Sequence, residues 1–468
     1  MRDELRIRFD GAARTVTGSR HLLRFGRRQW LFDCGLYQGH RDEAERVNRT
    51  FRFAPGELDA VIVSHAHLDH IGNLPTLVHQ GFRGRIHMTP ATADLAKVLL
   101  PDSAHLMERD VEHVNRHHRQ GAARQALYGL QDVSDTLARV ETHRYHEDWE
   151  PFERVRVRYA DAGHILGSAL TAFEFQSEGR TLRLLMGGDL GRPGRPILRD
   201  PEHPPGPDVL VLESTYGDRR HAGDEETLRG LADVVQRTAG RGGRVVVPAF
   251  AVGRTQELVA RLHTLTEERR IPELPIFVDS PMAKQATGVF ARHPECFDPE
   301  TFHHLQSGDG YPFGFHRLRY VSSVEESRAL NDRTDPCVIL SASGMCEGGR
   351  VLHHLAHALG DARNTVLFVG FQGDGTLGRR LRDGAATVNV FGEPVRVRAE
   401  IAALDGFSAH ADQLEILDWV GALDPRPRTV FLVHGEPGPA ETLAGLLRER
   451  LGLTVHVPEK GQEFDLWT

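Results

Sequence analysis

The sequence has few cysteines and almost no lysine. None of its four cysteines lies in a C-x-x-C pair, which argues against a zinc knuckle and against a disulfide framework, and favours free thiols in a reducing compartment. Only three lysines occur among 57 basic residues, and the formal net charge is −8. These values give no global basic signature of nucleic-acid binding, but they leave room for a local groove lined by arginine.

Long apolar runs are also absent. The amino-terminal residues MRDELRIRF are charged, and no apolar stretch is long enough to form a signal peptide or a membrane span. The 468 residues, 40% hydrophobic and 26% charged, are typical of a globular protein with more than one domain. We therefore expect a cytoplasmic protein with no membrane partner.

Short apolar stretches in the first half of the chain each end in a polar residue. RQWLFDCG leads to Asp33, DAVIVSHAH to His65, VRVRYADAGH to His164, TLRLLMGGD to Asp189 and DVLVLES to Glu213. These stretches predict strands, and polar residues just beyond the carboxyl ends of strands are typical of an active site in an α/β protein.

The pattern changes near residue 220 to strand, small-residue loop and helix. RVVVPAFAVGRTQELVARLHTL is one such unit, with Leu258, Leu262 and Leu265 at helical spacing. This repetition predicts a separate parallel-sheet domain. After about residue 395 the first pattern returns, and Asp412 with Glu415 in AHADQLE predicts a capping box at the start of a helix.

Four metal-ligating side chains follow one predicted strand. In HAHLDH, His65 and His67 can converge on one ion, and Asp69 with His70 can face a second. Catalytic metal sites use histidine and carboxylate and keep a position for water, whereas structural zinc sites prefer cysteine. Isolated histidines are usually structural or solvated, and His353, His354 and His357 in VLHHLAHAL are interpreted in that way.

HAHLDH resembles the H-x-H-x-D-H signature of the metallo-β-lactamase superfamily. LFDCG, DAGHILGS and GGDLG are similar to its other motifs, and LESTYG, FSAHAD and LVHGE resemble motifs A, B and C of the β-CASP nucleases. The histidine in motif C is similar to the RNA-processing group, which includes the catalytic subunit of the cleavage and polyadenylation specificity factor and its bacterial and archaeal relatives. The resemblance covers essentially the whole chain. It implies an α/β fold, a metallo-β-lactamase αββα sandwich (1–212 and 396–468) with an inserted β-CASP parallel α/β domain (213–395).

The resemblance also implies a role for each matched residue and a cofactor of two zinc ions per chain. The expected ligands are His65, His67 and His164 for the first ion and Asp69, His70 and His434 for the second, with Asp189 as the bridge. Asp33 would orient a ligand histidine. The expected catalytic residues are Asp69, Glu213 and His410, with Glu213 holding His410 so that the imidazole can protonate the leaving oxygen.

Two glycine-rich loops, SASGMCEGG and GFQGDGTLG, lie between a predicted strand and a predicted helix. Backbone N–H groups at such a place favour a phosphate, although the glycines could equally serve only tight turns. No G-K-[ST] follows, so nucleoside triphosphate chemistry is not expected. The candidates for contact with an RNA backbone are Arg254, Ser341, Ser343 and Gly344.

The predicted function is hydrolysis of single-stranded RNA by a zinc-dependent ribonuclease, with internal cutting and 5′ exonuclease action both left open. Another lactamase-fold hydrolase, such as a thioesterase or tRNA maturase, is disfavoured by motifs A to C. A non-catalytic RNA-binding subunit is disfavoured by the complete ligand set. The ribonuclease J group, expected to carry a further carboxyl-terminal domain, is a narrower alternative. A homodimer is a further assembly that the sequence leaves open.

Overall fold

The computed structural model of the chain describes residues 3–39, 41–117, 124–307, 313–373 and 375–467. They form two compact units, and the chain crosses between the two units four times. The first unit comprises Met1–Gly194, Arg199–Arg220 and His410–Thr468, and the second comprises Arg195–Leu198 and His221–Ala409. The domain boundaries expected at 212/213 and 395/396 stay predictions.

The strands of the described residues alternate with helices along most of the chain. In chain order they are β1 (Leu5–Phe9), β2 (His21–Phe25), β3 (Arg28–Phe32), β4 (Ala60–Ile62), β5 (Arg85–Met88), β6 (Val140–Thr142), β7 (Asp148–Phe152), β8 (Val155–Asp161), β9 (Ala169–Ser177), β10 (Arg180–Met186), β11 (Val209–Glu213), β12 (Val245–Pro248), β13 (Ile276–Val278), β14 (Leu318–Tyr320), β15 (Val338–Ser341), β16 (Thr365–Phe368), β17 (Thr387–Val390), β18 (Glu393–Arg396), β19 (Glu400–Ala403), β20 (Thr429–Val433), β21 (Thr454–His456) and β22 (Glu463–Asp465).

The α-helices range from one turn to about eight turns. In chain order they are α1 (Arg41–Arg49), α2 (Leu68–Ile71), α3 (Leu74–His79), α4 (Pro90–His117), α5 (Leu130–Leu137), α6 (Asp224–Gly240), α7 (Arg254–Glu267), α8 (Pro281–Phe290), α9 (Pro299–Ser307), α10 (Val324–Asn331), α11 (Arg350–Ala358), α12 (Leu377–Arg382), α13 (Gln413–Ala422) and α14 (Pro437–Leu451). Within the described ranges, no helix combines the length and the apolar character that crossing a membrane requires.

Two sheets face each other in the first unit. Their strand orders are β22-β1-β2-β3-β4-β5-β6 and β21-β20-β11-β10-β9-β8-β7. Side chains alternate between the two faces of a strand, so one face of each sheet can be apolar. Trp30 from β3 and Phe173 from β9 belong to the core between the sheets, with ring centroids 6.1 Å apart. The sandwich interior is therefore apolar and rich in aromatic rings.

Helices cover the outer faces of this sandwich. Leu210 and Leu212 of β11 pack with Ile416 of α13 and Leu443 of α14. On the opposite outer side, Val61 of β4 is fully buried and α4 contacts β6. The layers run helix, sheet, sheet, helix, which is the αββα arrangement that the resemblance implied.

The second unit is built on a parallel sheet of order β14-β13-β15-β12-β16-β19. The three leucines predicted at helical spacing lie on α7 and are buried against one face of the sheet. Val351 and Leu355 of α11 pack on the other face with Val246 of β12. The prediction of a parallel α/β unit in this part of the chain is confirmed.

Candidate metal centre

The residues expected from the sequence to bind metal, or to orient a metal ligand, lie just beyond the carboxyl ends of strands in the two sheets of the first unit. Asp33 follows β3, and His65 follows β4 after two residues. His164 follows β8, Asp189 follows β10 and His434 follows β20. Because these ends meet on one side of the sandwich, residues far apart in the chain converge.

Three imidazoles and one carboxylate oxygen form the first group of donors. Nδ1 of His67 lies 3.1 Å from Nε2 of His65 and 3.2 Å from Nε2 of His164. Oδ2 of Asp189 lies 3.5 Å from Nε2 of both His65 and His164. The four donor atoms therefore surround one point, where a single cation could contact all of them.

A second group lies on the other side of Asp189. Oδ2 of Asp69 is 3.2 Å from Nε2 of His434 and 3.9 Å from Nε2 of His70. Oδ1 of Asp189 is 3.4 Å from Nε2 of His70. The two oxygens of one carboxylate thus face two different donor groups, which is the geometry of a bridging ligand.

Two buried polar atoms between the two donor groups lack a hydrogen-bond partner and could instead contact a cation. Nε2 of His70 and Oδ1 of Asp189 are buried and make no hydrogen bond of good geometry, whereas buried polar atoms normally have a partner. Burial lowers the pKa of His67 to about 4, against the opposing charges of Asp69 and Asp189, and also lowers that of His65. Neutral imidazole is the form that binds metals, so the first donor group fits a divalent transition ion.

Asp33 fixes the imidazole of His70 through the nitrogen that faces away from Asp189. Its Oδ2 accepts hydrogen bonds from Nδ1 of His70 at 2.7 Å, from Oγ of Ser64 at 2.9 Å and from Oγ of Ser19 at 3.1 Å. Its Oδ1 accepts from the backbone N–H of Ser64 at 2.8 Å. Because this carboxylate fixes Nδ1, Nε2 of His70 faces Asp189, 3.4 Å from its Oδ1.

The glycine of LFDCG permits this arrangement. A Cβ atom on Gly35 would lie 1.6 Å from the carbonyl oxygen of Asp69, so only glycine fits. The flanking backbones are joined, since the N–H of Cys34 donates to the carbonyl of His70 at 2.8 Å. The segment carrying Asp33 is thereby fixed against the segment carrying the ligands.

His410 and Glu213 form a pair beside the first donor group. The ring of His410 lies 4.6 Å, centroid to centroid, from the ring of His164, and its side chain is 22% exposed. Burial would lower the pKa of His410, but the charge and hydrogen bonds of Glu213, with Asp189 and Asp69, raise it to about 9. The Glu213 carboxylate thus favours the charged imidazole, which is the form that a general acid needs.

The start of α13 positions this histidine. Asp412 accepts hydrogen bonds from the N–H groups of Leu414 and Glu415, and Glu415 accepts from the N–H of Asp412 in return. The predicted capping box is confirmed. The N–H of Ala411 also donates to the carbonyl of Leu190 at 2.8 Å, which joins the His410 segment to the loop that carries Asp189.

The residues predicted to contact RNA lie at the carboxyl edge of the sheet in the second unit. Ser341 is buried and donates to the carbonyl of Asp279 at 3.0 Å. Its hydroxyl therefore stabilises the start of the loop that follows β15. Ser343 accepts from the N–H of Glu347 at 3.2 Å. Arg254 begins α7 and is bonded to Glu257 at 2.6 Å.

Two exposed aromatic residues lie at the same edge and were not predicted from the sequence. Phe250 follows β12 and is 46% exposed, and Phe371 follows β16 and is 42% exposed. The ring of Phe250 covers Gly344, where an added Cβ would meet it at 3.2 Å. The signal was present in PAFAVG and VGFQGD, since each phenylalanine stands among small residues after a strand.

Comparison with known proteins gives three family matches along the chain. Residues 21–105 match the metallo-beta-lactamase superfamily, residues 255–381 the Beta-Casp domain, and residues 394–458 the Zn-dependent metallo-hydrolase RNA specificity domain. The sequence is 41% identical over 440 residues to a protein named ribonuclease TTHA0252 from Thermus thermophilus, covering 94% of this chain and 95% of that protein.

The chain belongs to the β-CASP family of the metallo-β-lactamase superfamily. It is also similar to a β-CASP protein named transcription termination factor FttA. The Methanosarcina mazei form is 31% identical over 96% of this chain and 69% of its own length, and the Methanocaldococcus jannaschii form is 30% identical over 97% and 70%.

A crystal structure of a protein of unknown function from Enterococcus faecalis shares the fold at 11% identity. Its TM-score is 0.55, over 99% of this chain and all of that one. The predicted fold class, a metallo-β-lactamase sandwich with an inserted β-CASP unit, is confirmed. As a member of this family the chain is a metal-dependent hydrolase. The two donor groups around Asp189 agree with this assignment.

Proposed function

We propose that this β-CASP protein is a two-zinc ribonuclease that hydrolyses phosphodiester bonds in single-stranded RNA. The observation that carries the proposal is the position of Asp189, whose two oxygens face two separate groups of buried donors at 3.4–3.5 Å. A non-catalytic RNA-binding subunit would have no use for such a bridge.

The choice of RNA is supported by two relationships. One matched model describes an RNA specificity domain, and the most fully covered of the relatives described above is named a ribonuclease. In this proposal residues 1–212 and 396–468 form the hydrolase and residues 213–395 form the inserted domain.

The donor geometry divides the proposed ligands into two sets joined by Asp189. His65, His67 and His164 would hold one zinc ion, and Asp69, His70 and His434 the other. Two zinc ions bound there supply Lewis acidity, which activates water and stabilises charge on phosphate oxygens.

The protein's own residues would orient the reactants and move the protons. Asp69, with a side chain 21% exposed, orients the attacking water on the solvent side of the centre. Water would attack phosphorus and pass a proton to the Asp69 carboxylate, the bond from phosphorus to the 3′-oxygen would break, and protonated His410 would give its proton to the departing oxygen. Glu213 keeps the imidazole oriented and favours its charged form.

The second unit would bind the RNA strand. Phe250 and Phe371 follow the neighbouring strands β12 and β16, and β12 also neighbours β15, whose following loop contains Ser343 and Gly344. Gln372 ties the Phe371 loop to the Ser343 loop by donating to the carbonyl of Gly344 at 3.0 Å. Exposed aromatic rings stack on bases without regard to sequence. Backbone N–H groups of the Ser343 loop and the guanidinium of Arg254 would contact phosphates, while Ser341 holds the loop in place.

One experiment tests the activity and its mode together. A single-stranded RNA labelled separately at its 5′ and 3′ ends is incubated with zinc-loaded wild-type protein and with Asp189→Ala. Internal cutting gives labelled fragments of intermediate length from both ends, and 5′ exonuclease action gives labelled mononucleotides from the 5′ label alone. Intact RNA with the wild type, or equal cleavage by Asp189→Ala, would contradict the proposal.

A further inference from the structure

A second cluster of metal-ligating side chains lies at the edge of the sandwich in the first unit. It consists of His87, Glu141 and His143, and none of them belongs to the centre around Asp189. Nδ1 of His87 is 3.0 Å from Nε2 of His143, and Oε1 of Glu141 is 3.9 Å from the same Nε2. All three donor atoms lie within 4.8 Å of one another.

The backbone forces these side chains together. β5 and β6 pair in parallel with His87 directly opposite Glu141, so both side chains leave the sheet on the same face. His143 is two positions beyond Glu141, and residues two apart on a strand share a face. The ladder continues to this point, because the N–H of His143 donates to the carbonyl of Met88 at 3.0 Å.

An aromatic ring from the other sheet closes the cluster. Trp149 of β7 stacks on His143 with centroids 3.9 Å apart and planes 5° from parallel, and its centroid lies 4.6 Å from that of His87. Stacking holds the His143 ring in one orientation before any ligand arrives. Preorganised donors lose less entropy when they bind an ion.

The spacing of the two imidazoles matches that of the ligand set described above. Their nitrogens are 3.0 Å apart, against 3.1 and 3.2 Å for the contacts of His67 with its two neighbouring histidines. Burial, followed by the proximity of His143 and Arg85, lowers the pKa of His87 to about 3, and burial also lowers the pKa of His143. Two neutral imidazoles are thus presented at neutral pH, beside a carboxylate that is half exposed.

We infer that His87, Glu141 and His143 form a further binding site for a divalent transition ion, with solvent completing the coordination. Two imidazoles and one carboxylate suit zinc, nickel or copper and not magnesium or calcium, which prefer oxygen. An ion there would join the edge strand β6 to β5 beneath Trp149. It would stabilise the folded state in proportion to the ion's concentration over its dissociation constant.

Nickel titration of metal-free protein tests the site, with Trp149 as the reporter. Nickel quenches indole fluorescence at short range, so wild-type protein should show a saturable quenching step. Trp149→Phe should lack that step while binding the same amount of nickel at equilibrium dialysis. The double variant His87→Gln/His143→Gln should lack the step and bind one ion fewer per chain.

Two carboxylate variants give a matched comparison that does not risk unfolding. Glu141 and Glu147 both favour the charged form of His143, but only Glu141 belongs to the cluster. Glu141→Gln should weaken the quenching step by about tenfold or more, and Glu147→Gln should leave it nearly unchanged. The inference is overturned if wild type and the double variant bind equal nickel, or if the two carboxylate variants behave alike, because the histidines then form only a hydrogen bond.

Discussion

Nδ1 of His410 lies 3.0 Å from Oε1 and 2.9 Å from Oε2 of Glu213. Oε1 also accepts the backbone N–H of Leu190 at 2.7 Å, and Glu213 is fully buried. The carboxylate is therefore held by two separate segments, and it fixes the orientation of an imidazole beside the metal ligands. In the proposed reaction His410 would transfer the proton on Nε2, because Nδ1 is bonded to Glu213.

Replacing His410 should separate chemistry from metal binding. His410→Ala is expected to keep its full metal content and to cleave RNA roughly 10²–10⁴ times more slowly, the usual loss when a general acid is removed. Metal content by elemental analysis and single-turnover cleavage rates measure the two effects. Loss of metal together with activity would make His410 a ligand and reject the assigned role.

Replacing Asp189, unlike replacing His410, should reduce the metal content as well as the activity. Both donor groups use an oxygen of this carboxylate, so Asp189→Ala is expected to lose metal and activity together. Asp189→Asn keeps the shape of the side chain but not its charge, and should lose affinity for the ions to a smaller degree. Elemental analysis of protein with verified activity decides the matter, since active enzyme without a transition metal would rule out the proposed centre.

The reaction products should identify water as the nucleophile. Attack by water with departure of the 3′-oxygen leaves a 5′-phosphate and a 3′-hydroxyl. An RNA with a single 2′-deoxy residue at the cleaved position should still be cut, because the neighbouring hydroxyl takes no part in bond formation. Mass spectrometry of the fragments checks this, and a 2′,3′-cyclic phosphate would exclude the mechanism.

Asp161 should make stability depend on pH. Burial raises its pKa to about 8 in the folded state, against about 3.9 in an unfolded chain. Between these values the folded protein keeps the proton and the unfolded chain releases it, so the free energy of unfolding falls as pH rises from about 4 to about 8. A shift of this size corresponds to at most about 6 kcal/mol.

Urea unfolding of metal-saturated protein at several pH values measures this effect. Asp161→Asn keeps an oxygen for the N–H of Gly163, which Asp161 accepts at 2.8 Å, and should remove the dependence and be more stable than wild type at pH 8. Asp200→Asn is the control, because Asp200 accepts the N–H of Gly194 in an exposed position. Parallel pH curves for wild type and Asp161→Asn would show that the carboxyl group is ionised in the fold.

Phe250 and Phe371 should contribute to RNA affinity through their rings. In a His410→Ala background, which binds without rapid cleavage, Phe250→Leu or Phe371→Leu should weaken binding of single-stranded RNA by roughly 5–150-fold, from about 1–3 kcal/mol per stacked base. Phe250→Trp, which keeps an aromatic ring at this position, should bind the RNA as tightly as the protein with Phe250. Phe391→Leu is the control, since Phe391 is 57% exposed elsewhere in the same unit, and equal effects of all three leucine variants would refute base stacking.

Strand ends and motif residues could be predicted from the sequence, because each depends on a short local pattern of residues. Apolar stretches ending at Asp33, His65 and Asp189 predicted strands at β3, β4 and β10, and the structure brings those ends together. The capping box of α13 is equally local. His354, interpreted as a structural histidine, is a buried residue of α11 that binds Asp279 at 2.6 Å.

Features created by packing could not be predicted in this way. The hydroxyl of Ser19 reaches Asp33 only because β2 pairs with β3. Whether Phe250 is a core residue or an exposed one depends on what the fold places over it. His87 and His143 are 56 positions apart, and only the register between β5 and β6 makes them neighbours.

The order of the segments along the chain has a consequence for how the protein is made. Asp69 and His434, which face each other in the second donor group, are 365 positions apart, and β1 pairs with β22 through residues 463–465. A nascent chain emerges amino end first, so the second donor group and the partner for the outer edge of β1 are both missing until the segments around His434 and residues 463–465 have been made. The growing polypeptide therefore holds only one of the two donor groups until translation has passed His434.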